Sequence, residues 1–270
     1  MKAFWNWIKS LLGLGPSAPM KWEKRMTRQM MFFSGPNYYW MDADAEDVCD
    51  AILEAGLDGP SIEFGGSDTS KEYNGEPTTR PVKAVYESNI KAWGKWQKAI
   101  ESRGLCAHIA FLNTNSKRNN TVTDTEWSNL ANAFIAAHGS ENKIILPASE
   151  TDARTRPSIR SILEHTFRQR VPAPQIVTHS GQSVGYTEHH SQKGNDVPRG
   201  DKDNLTVSDS GPAIAYLYGG DWRFGGSPNH ANITTYVKAI RAAGTSGAVY
   251  SFSKSFDKDG CKTAGKAWKA

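Results

Sequence analysis

The sequence predicts an α/β chain closed into a (β/α)8 TIM-like barrel, and three observations carry that expectation. From about residue 22, short apolar runs of strand length alternate with longer stretches of helical period; alternation of this kind implies parallel strands joined by right-handed crossovers. Eight such runs fit into the chain of 270 residues, close to the usual length of about 250 for a barrel. No Gly-x-Gly-x-x-Gly follows the first run and no Walker loop is present, so the open nucleotide-binding sheets lack their usual signature.

The elements follow in order. A first strand at 31–35 exits through Asn37, Tyr38, Tyr39 and Trp40. A helix is expected over 42–55, where Asp42 and Asp44 suit the positive N-terminal end and Gly56 stops it. The second strand, 61–66, carries Glu63, and a polar Gly/Pro-rich loop runs over 67–81. The helix at 82–103 places Val85, Ile90, Trp93, Trp96 and Ile100 on one face. The third strand, 105–112, has Asn113 at its exit; Asp124 caps a helix that runs to His138 and stops at Gly139. The fourth strand, 143–149, contains Ile144, Ile145 and Leu146, a run suited to burial on both faces. Pro157 opens its helix, 157–170. The fifth strand is 174–180. An irregular stretch, 181–204, shows no helical pattern, so the barrel is expected to be irregular between strands five and six, with strand six at 205–209. Strand seven at 213–219, a helix at 230–243, strand eight at 247–252 and a last helical turn at 263–269 complete the count.

Ahead of this domain (20–270), residues 1–19 are expected to form a separable head. Phe4, Trp5, Ile8, Leu11 and Leu12 share one helical face, with Lys2, Asn6, Lys9 and Ser10 largely opposite, and Gly15 to Pro19 form a linker. Such an amphipathic helix suits peripheral docking on a membrane surface or protein through residues 1–14, or packing on its own domain. Lys9 interrupts the apolar run, which makes a poor signal peptide and is too short to span a bilayer. Localisation is left open.

A formal charge of +4 and a pI near 8.8 are only mildly basic, and with no long Lys/Arg block nothing points to nucleic acid. Three widely spaced cysteines form neither a disulfide framework nor a zinc spacing; Cys49 and Cys106 read as buried thiols. Asn119, Asn204 and Asn232 head Asn-x-Ser/Thr sequons, informative only on a secretory route. Nine Trp and nine Tyr exceed ordinary core needs; most are expected to pack helices on strands, and some to line a site for flat ligands such as sugar rings.

In a barrel the carboxyl ends of the strands share one mouth. The fourth strand leads into Glu150, Asp152, Arg154 and Arg156. The same mouth is expected to collect Glu63, Asn113, His179, Asp209, Tyr218, Asp221 and Trp222 beside Tyr38 and Trp40. Paired carboxylates with aromatic platforms suit cleavage of a glycosidic bond, because one carboxyl must give a proton and the other must be ionised. Glu150, leaving a strongly apolar strand, is the candidate acid; Glu63 is its partner, with Asp209 and Asp221 as alternatives. Tyr38, Trp40 and Trp222 would stack on sugar rings. Asn113, Asp152, Arg154, His179 and Tyr218 would bind substrate or tune the carboxylates. Against this stands the plain alternative that Glu63 pairs with Arg154 as a structural ion pair.

On these residues the chain resembles (β/α)8-barrel glycoside hydrolases over about residues 30–255, at the level of architecture. The resemblance implies an acid/base glutamate at the end of strand four, where Glu150 stands, a polysaccharide or oligosaccharide substrate, and no cofactor. Departures are specific: Ser149 rather than Asn precedes Glu150, Gly219-Gly220-Asp221 stands where a strand-seven Glu nucleophile is common, and the Asp-x-x-Asp-x-Asp-x-Glu run of chitinase-like barrels is missing. No particular family is indicated.

Two other classes are compatible with the sequence. A metal-dependent hydrolase would draw ligands from His179, His189, His190, Glu188 and Asp209, although His-Glu-x-x-His and a first-strand His-x-His are absent. A non-catalytic carbohydrate-binding barrel would need the fold but no tuned carboxylate. The segment 180–185 lacks the leading Gly of a Gly-x-Ser-x-Gly nucleophile elbow.

Overall fold

The computed structural model describes residues 30–36, 40–65, 80–112, 117–148, 155–170, 175–179, 186–190, 215–220, 230–242, 244, 246–253 and 255–270. Eight parallel strands form a closed barrel in sequence order: β1 (Met30–Pro36), β2 (Gly59–Glu63), β3 (Ala107–Leu112), β4 (Lys143–Ala148), β5 (Gln175–His179), β6 (Tyr186–His190), β7 (Ala215–Gly220) and β8 (Ser246–Ser253). Closure is made by β8 against β1, in register from Met30↔Gly247 to Pro36↔Ser253. Six α-helices lie among the described residues: α1 (Ala45–Ala55), α2 (Val82–Ser102), α3 (Asp124–His138), α4 (Pro157–Arg168), α5 (His230–Ala242) and α6 (Lys258–Lys269).

Four assignments differ from the sequence expectation. Strand six is Tyr186–His190, not 205–209, which lies outside the described residues. Only positions 180–185 separate it from β5, too few for the dozen or more residues that a helical crossover needs. The expected irregularity between strands five and six therefore corresponds to a connection too short for a crossover helix. The helix after β1 begins at Ala45, with Asp44 accepting from the Glu46 and Asp47 amides, while Trp40–Asp42 forms a short 3-10 turn. The last helix is α6, a full element in place of a single turn, capped by the Asp257 side chain on the Gly260 amide. The cap of α3 is Thr123, not Asp124, in a reciprocal box with Glu126.

Strand residues alternate between two buried faces. Phe111 of β3 meets Phe134 of α3 and Phe167 of α4 at ring distances of 5.7 and 5.2 Å, so its face of the sheet looks outward to the helices. Phe32, Ile62, Ile109, Ile145, Ile176 and Val249 belong to the same outer core. Ser61, His108, Ala110, Ile144, Leu146 and Ala248 alternate with them and are buried in the barrel interior. One glycine is required by this geometry. A Cβ on Gly59 would lie 1.5 Å from the Cys106 carbonyl oxygen, because β2 and β3 approach closely at the floor.

Cys49, Cys106 and Cys261 are buried, and none forms a disulfide among the described residues. Burial pushes the Cys49 and Cys261 thiols up to about 12, so neither is a nucleophile near neutral pH.

Candidate active site

The mouth is held from behind by α2. The fully buried Asn89 donates from Nδ2 to the Phe64 carbonyl at 2.6 Å, and the Tyr86 hydroxyl donates to the Phe111 carbonyl at 2.9 Å. These carbonyls lie at the ends of β2 and β3, where the Phe64 amide also donates to Ala110 O at 2.9 Å. Two buried polar side chains on a helix are costly unless paired; here they satisfy strand-end carbonyls and fix the backbone beside Glu63. Glu63 is the last residue of β2, partly buried and level with Ala110. One step deeper, Ser61 and His108 are register partners joined by an Oγ···Nδ1 hydrogen bond of 2.9 Å.

The loop after β4 is framed at both ends. Ala148 is buried at the end of the strand, and Thr155 is buried where the chain re-enters the fold. Asn119 donates from Nδ2 to Thr155 Oγ1 at 3.2 Å, and the Arg156 amide donates to Asn120 Oδ1 at 2.8 Å. Arg156 also pairs with Asp124 at 2.7 Å and donates to the Val122 carbonyl. Arg156, one of the charged residues of this stretch, is thus a tie to the start of α3. Asn119 is fully buried in this tie, which removes its sequon as a modification site.

Beyond β8, Asp257 accepts from the Ser251 hydroxyl and the Gly260 amide and pairs with His230 at 3.0 Å. The carboxylate is central in this group, and no Ser–His contact of a nucleophilic triad is made among these three. It fastens β8 to the starts of α5 and α6.

The structure treats the sequence candidates unequally. Trp40, expected as a sugar platform, is a core ring instead, 2% exposed. It stacks on Phe64 at 5.6 Å and meets Trp93 and Trp96 edge-on at 5.6 and 6.3 Å, which leaves no open face. Tyr38, Asn113, Glu150, Asp152, Arg154, Asp209, Asp221 and Trp222 lie outside the described residues, as does the head, 1–19. Asp209 was expected at the end of strand six; that strand is Tyr186–His190, so the expectation loses its basis. His179 ends β5, in register with Glu188 of β6, which is itself level with Tyr216 of β7; His190 is level with Tyr218. The same pairings carry the register on from Tyr218 to Ala248 of β8. Glu188, which the sequence suggests only as a metal ligand, is a β6 residue level with His179 and Tyr216. Its one sequence signal was the alternation Tyr186-x-Glu188-x-His190.

Among the described residues no group of three His, Cys, Asp or Glu side chains is placed to hold a metal ion. Within the same residues no helix is long and apolar enough to cross a membrane.

No protein-family model matches the chain, and no curated protein matches it. Solved structures do. A glycoside hydrolase family 5 protein from Bacteroides vulgatus superposes with a TM-score of 0.53 at 11% identity, over 82% of this chain and 58% of its own. This chain therefore spans less than two thirds of that protein. The cellulose synthase subunit Z of Clostridioides difficile gives 0.54 at 11% identity, over 90% and 100% of the two chains. The α-L-fucosidase of Lactobacillus casei, in complex with its α-L-fucose product, gives 0.52 at 9% identity, over 86% and 81%. At these identities the likeness is one of fold: the chain is a (β/α)8 barrel that resembles glycoside hydrolase barrels in architecture.

Proposed function

We propose that the chain is a glycoside hydrolase that cleaves a polysaccharide or oligosaccharide with Glu150 as general acid and Glu63 as its ionised partner. The observation that carries this reading is the order of the closed barrel: β2 ends in Glu63, and β4, whose exit loop contains Glu150, lies two strands away. Two strand spacings are about 10 Å, a span that two glutamate side chains can narrow to either working separation, about 5–5.5 Å for retention or 6.5–9.5 Å for inversion. Glu150 would protonate the leaving glycosidic oxygen, and Glu63 would attack the anomeric carbon or take a proton from water. Asp221 is an alternative partner, Tyr38 and Trp222 would stack on sugar rings, and Asp152, Arg154 and Asn113 would bind hydroxyls. Two of the three neighbours above are glycosidases by name, which supports the class and not the substrate.

One register observation favours a second reading, a metal-dependent hydrolase. His179 of β5 is level with Glu188 of β6, and an imidazole and a carboxylate at one level suit a divalent ion.

The test is release of reducing ends from a panel of chitin, cellulose, xylan, pectin and peptidoglycan, with and without chelator. Glu150→Gln and Glu63→Gln should each lower activity by about 100-fold or more, with chelator having no effect. Loss on chelation would replace this reading with the metal one. Binding without release would make the barrel a carbohydrate-binding module.

A further inference from the structure

Helices α5 and α6 carry six Lys or Arg and a single Asp, an excess of five charges against a formal +4 for the whole chain. No sequence block reveals this excess, because two separate helices supply it. The fold brings them together. α5 and α6 pack side by side, and the contact of His230 with Asp257 at 3.0 Å joins their starts. Both follow parallel strands, so they run the same way and their positions count off in step. Lys238 and Lys266 each stand eight residues past a helix start, and Arg241 and Lys269 each stand eleven. Those levels are about 12 and 16 Å along helix axes that lie about 10 Å apart. Lys262, higher on α6, completes a face of five exposed cations. It occupies the outer wall toward the floor, away from the mouth.

Local stability does not explain this face. Lys258, Lys262 and Lys266 repeat at intervals of four residues, which sets like charges together and weakens an isolated helix. On the other helices cations are matched: Arg103 with Glu46 and Asp50, Lys83 with Glu126, Arg156 with Asp124, and Arg168 with Glu164. Lys258 itself pairs with Asp47. Among the described residues no ion pair engages Lys238, Lys262 or Lys266.

We propose that this face docks the chain on a membrane surface of anionic lipid. Four of its five cations are lysines, compact point charges that suit headgroup phosphates and carboxylates, whereas nucleic-acid recognition draws on the planar fork of Arg. Leu53, on α1, is the single large apolar side chain exposed among the described residues, so the face inserts nothing and holds by charge. A second feature points the same way. β1 begins at Met30 beside β8, so the sequence before it joins the barrel at the floor end. That sequence lies outside the described residues, and its pattern of Trp5, Lys2 and Lys9 suits a membrane surface. Stable anchoring takes two such signals. The mouth stays open to solvent in this orientation. The inference does not rest on the glycosidase reading.

The experiment is co-sedimentation of the full chain with vesicles of phosphatidylcholine, alone or with a third phosphatidylserine. Binding to the anionic vesicles should exceed binding to the neutral ones and fall steeply between low salt and about 0.5 M. Each basic residue near such a surface tightens binding about fivefold, so Lys238→Gln/Lys262→Gln/Lys266→Gln should bind about 100-fold more weakly. Lys91→Gln/Lys98→Gln/Lys117→Gln removes the same charge from exposed positions on α2 and after β3, and should bind like the parent. The N-terminal sequence is present in every chain compared, so the difference reads the face. Parental binding by the first triple variant overturns the proposal, and so does equal weakening by both, which would reflect net charge alone. Binding to polygalacturonate or duplex DNA in place of vesicles, lost in the first triple variant, gives the face to that polymer and also overturns it. Should the first triple variant fail to melt like the parent, Lys262→Glu decides: weakening of more than about fivefold upholds the proposal, and none overturns it.

Discussion

At the floor of the barrel, the fully buried Lys143 donates to the carbonyls of His138 and Glu141 at 2.7 and 3.1 Å, and Asp58 accepts from the Met30 amide at 2.7 Å. At the mouth, Asn89 and Tyr86 make the same kind of bond, side chain to backbone, to Phe64 and Phe111. The chemistry is alike and the consequence differs. Floor ties end on backbone groups with no candidate functional residue beside them. Mouth ties stop one residue from Glu63, and those of Asn119 and Arg156 stop at the border of the Glu150 loop. Buried polar groups thus serve stability at one end and placement at the other, as the fold's usual division of labour predicts.

The largest effect that would sharpen this contrast is expected at Gly59 on the floor. Gly59→Val pushes a side chain into the Cys106 carbonyl and should cost more than about 3 kcal/mol, read as loss of soluble protein or of a cooperative melt. A Gly59→Val chain that melts like the parent would show that the floor yields. Next comes Asn89→Leu at the mouth. It strands the Phe64 carbonyl and should cost about 1–3 kcal/mol; on any glycan that is cleaved, kcat should fall more than KM rises. Destabilisation with kcat intact would make Asn89 a tie of the floor type.

The subtlest effect to read is a pH dependence at Lys143, whose ammonium burial holds down to about 8 from 10.5. The unfolded chain binds this proton more tightly, so between pH 8 and 10.5 the group makes stability rise with pH. The stability of Lys143→Met relative to the parent should therefore decline steadily across that window in urea melts. A constant difference would mean that Lys143 is not held in its buried place.

Much of the frame was legible. Ile144-Ile145-Leu146 reads as a strand buried on both faces because a parallel strand has no solvent side. The periods of α2 and α3 are visible because each buries one stripe. Illegibility has particular causes. Tyr186-Thr187-Glu188-His189-His190 has no aliphatic residue and reads less like a strand than 205–209, yet backbone pairing on both sides makes it β6. Helix α6 was reduced to a turn because Gly260 and Gly265 weaken helical propensity. Gly265 is there for packing: a Cβ would meet the Ala55 carbonyl at 2.2 Å. Trp40 sits in a strand-exit loop, where a ligand platform is a fair expectation; Trp93 and Trp96, more than fifty residues further along the chain, bury it.

Local physics decided what could be read along the chain: the alternation of strand and helix, the helix stops at Gly56 and Gly139, and a carboxylate at the end of β2. Tertiary structure decided closure of β8 on β1, the identity of β6, and which polar residues face the interior. The reason is range. A cap or an amphipathic stripe is set by neighbours within a turn or two, whereas Ser61 and His108 stand 47 positions apart and become a pair only when register brings β2 and β3 level.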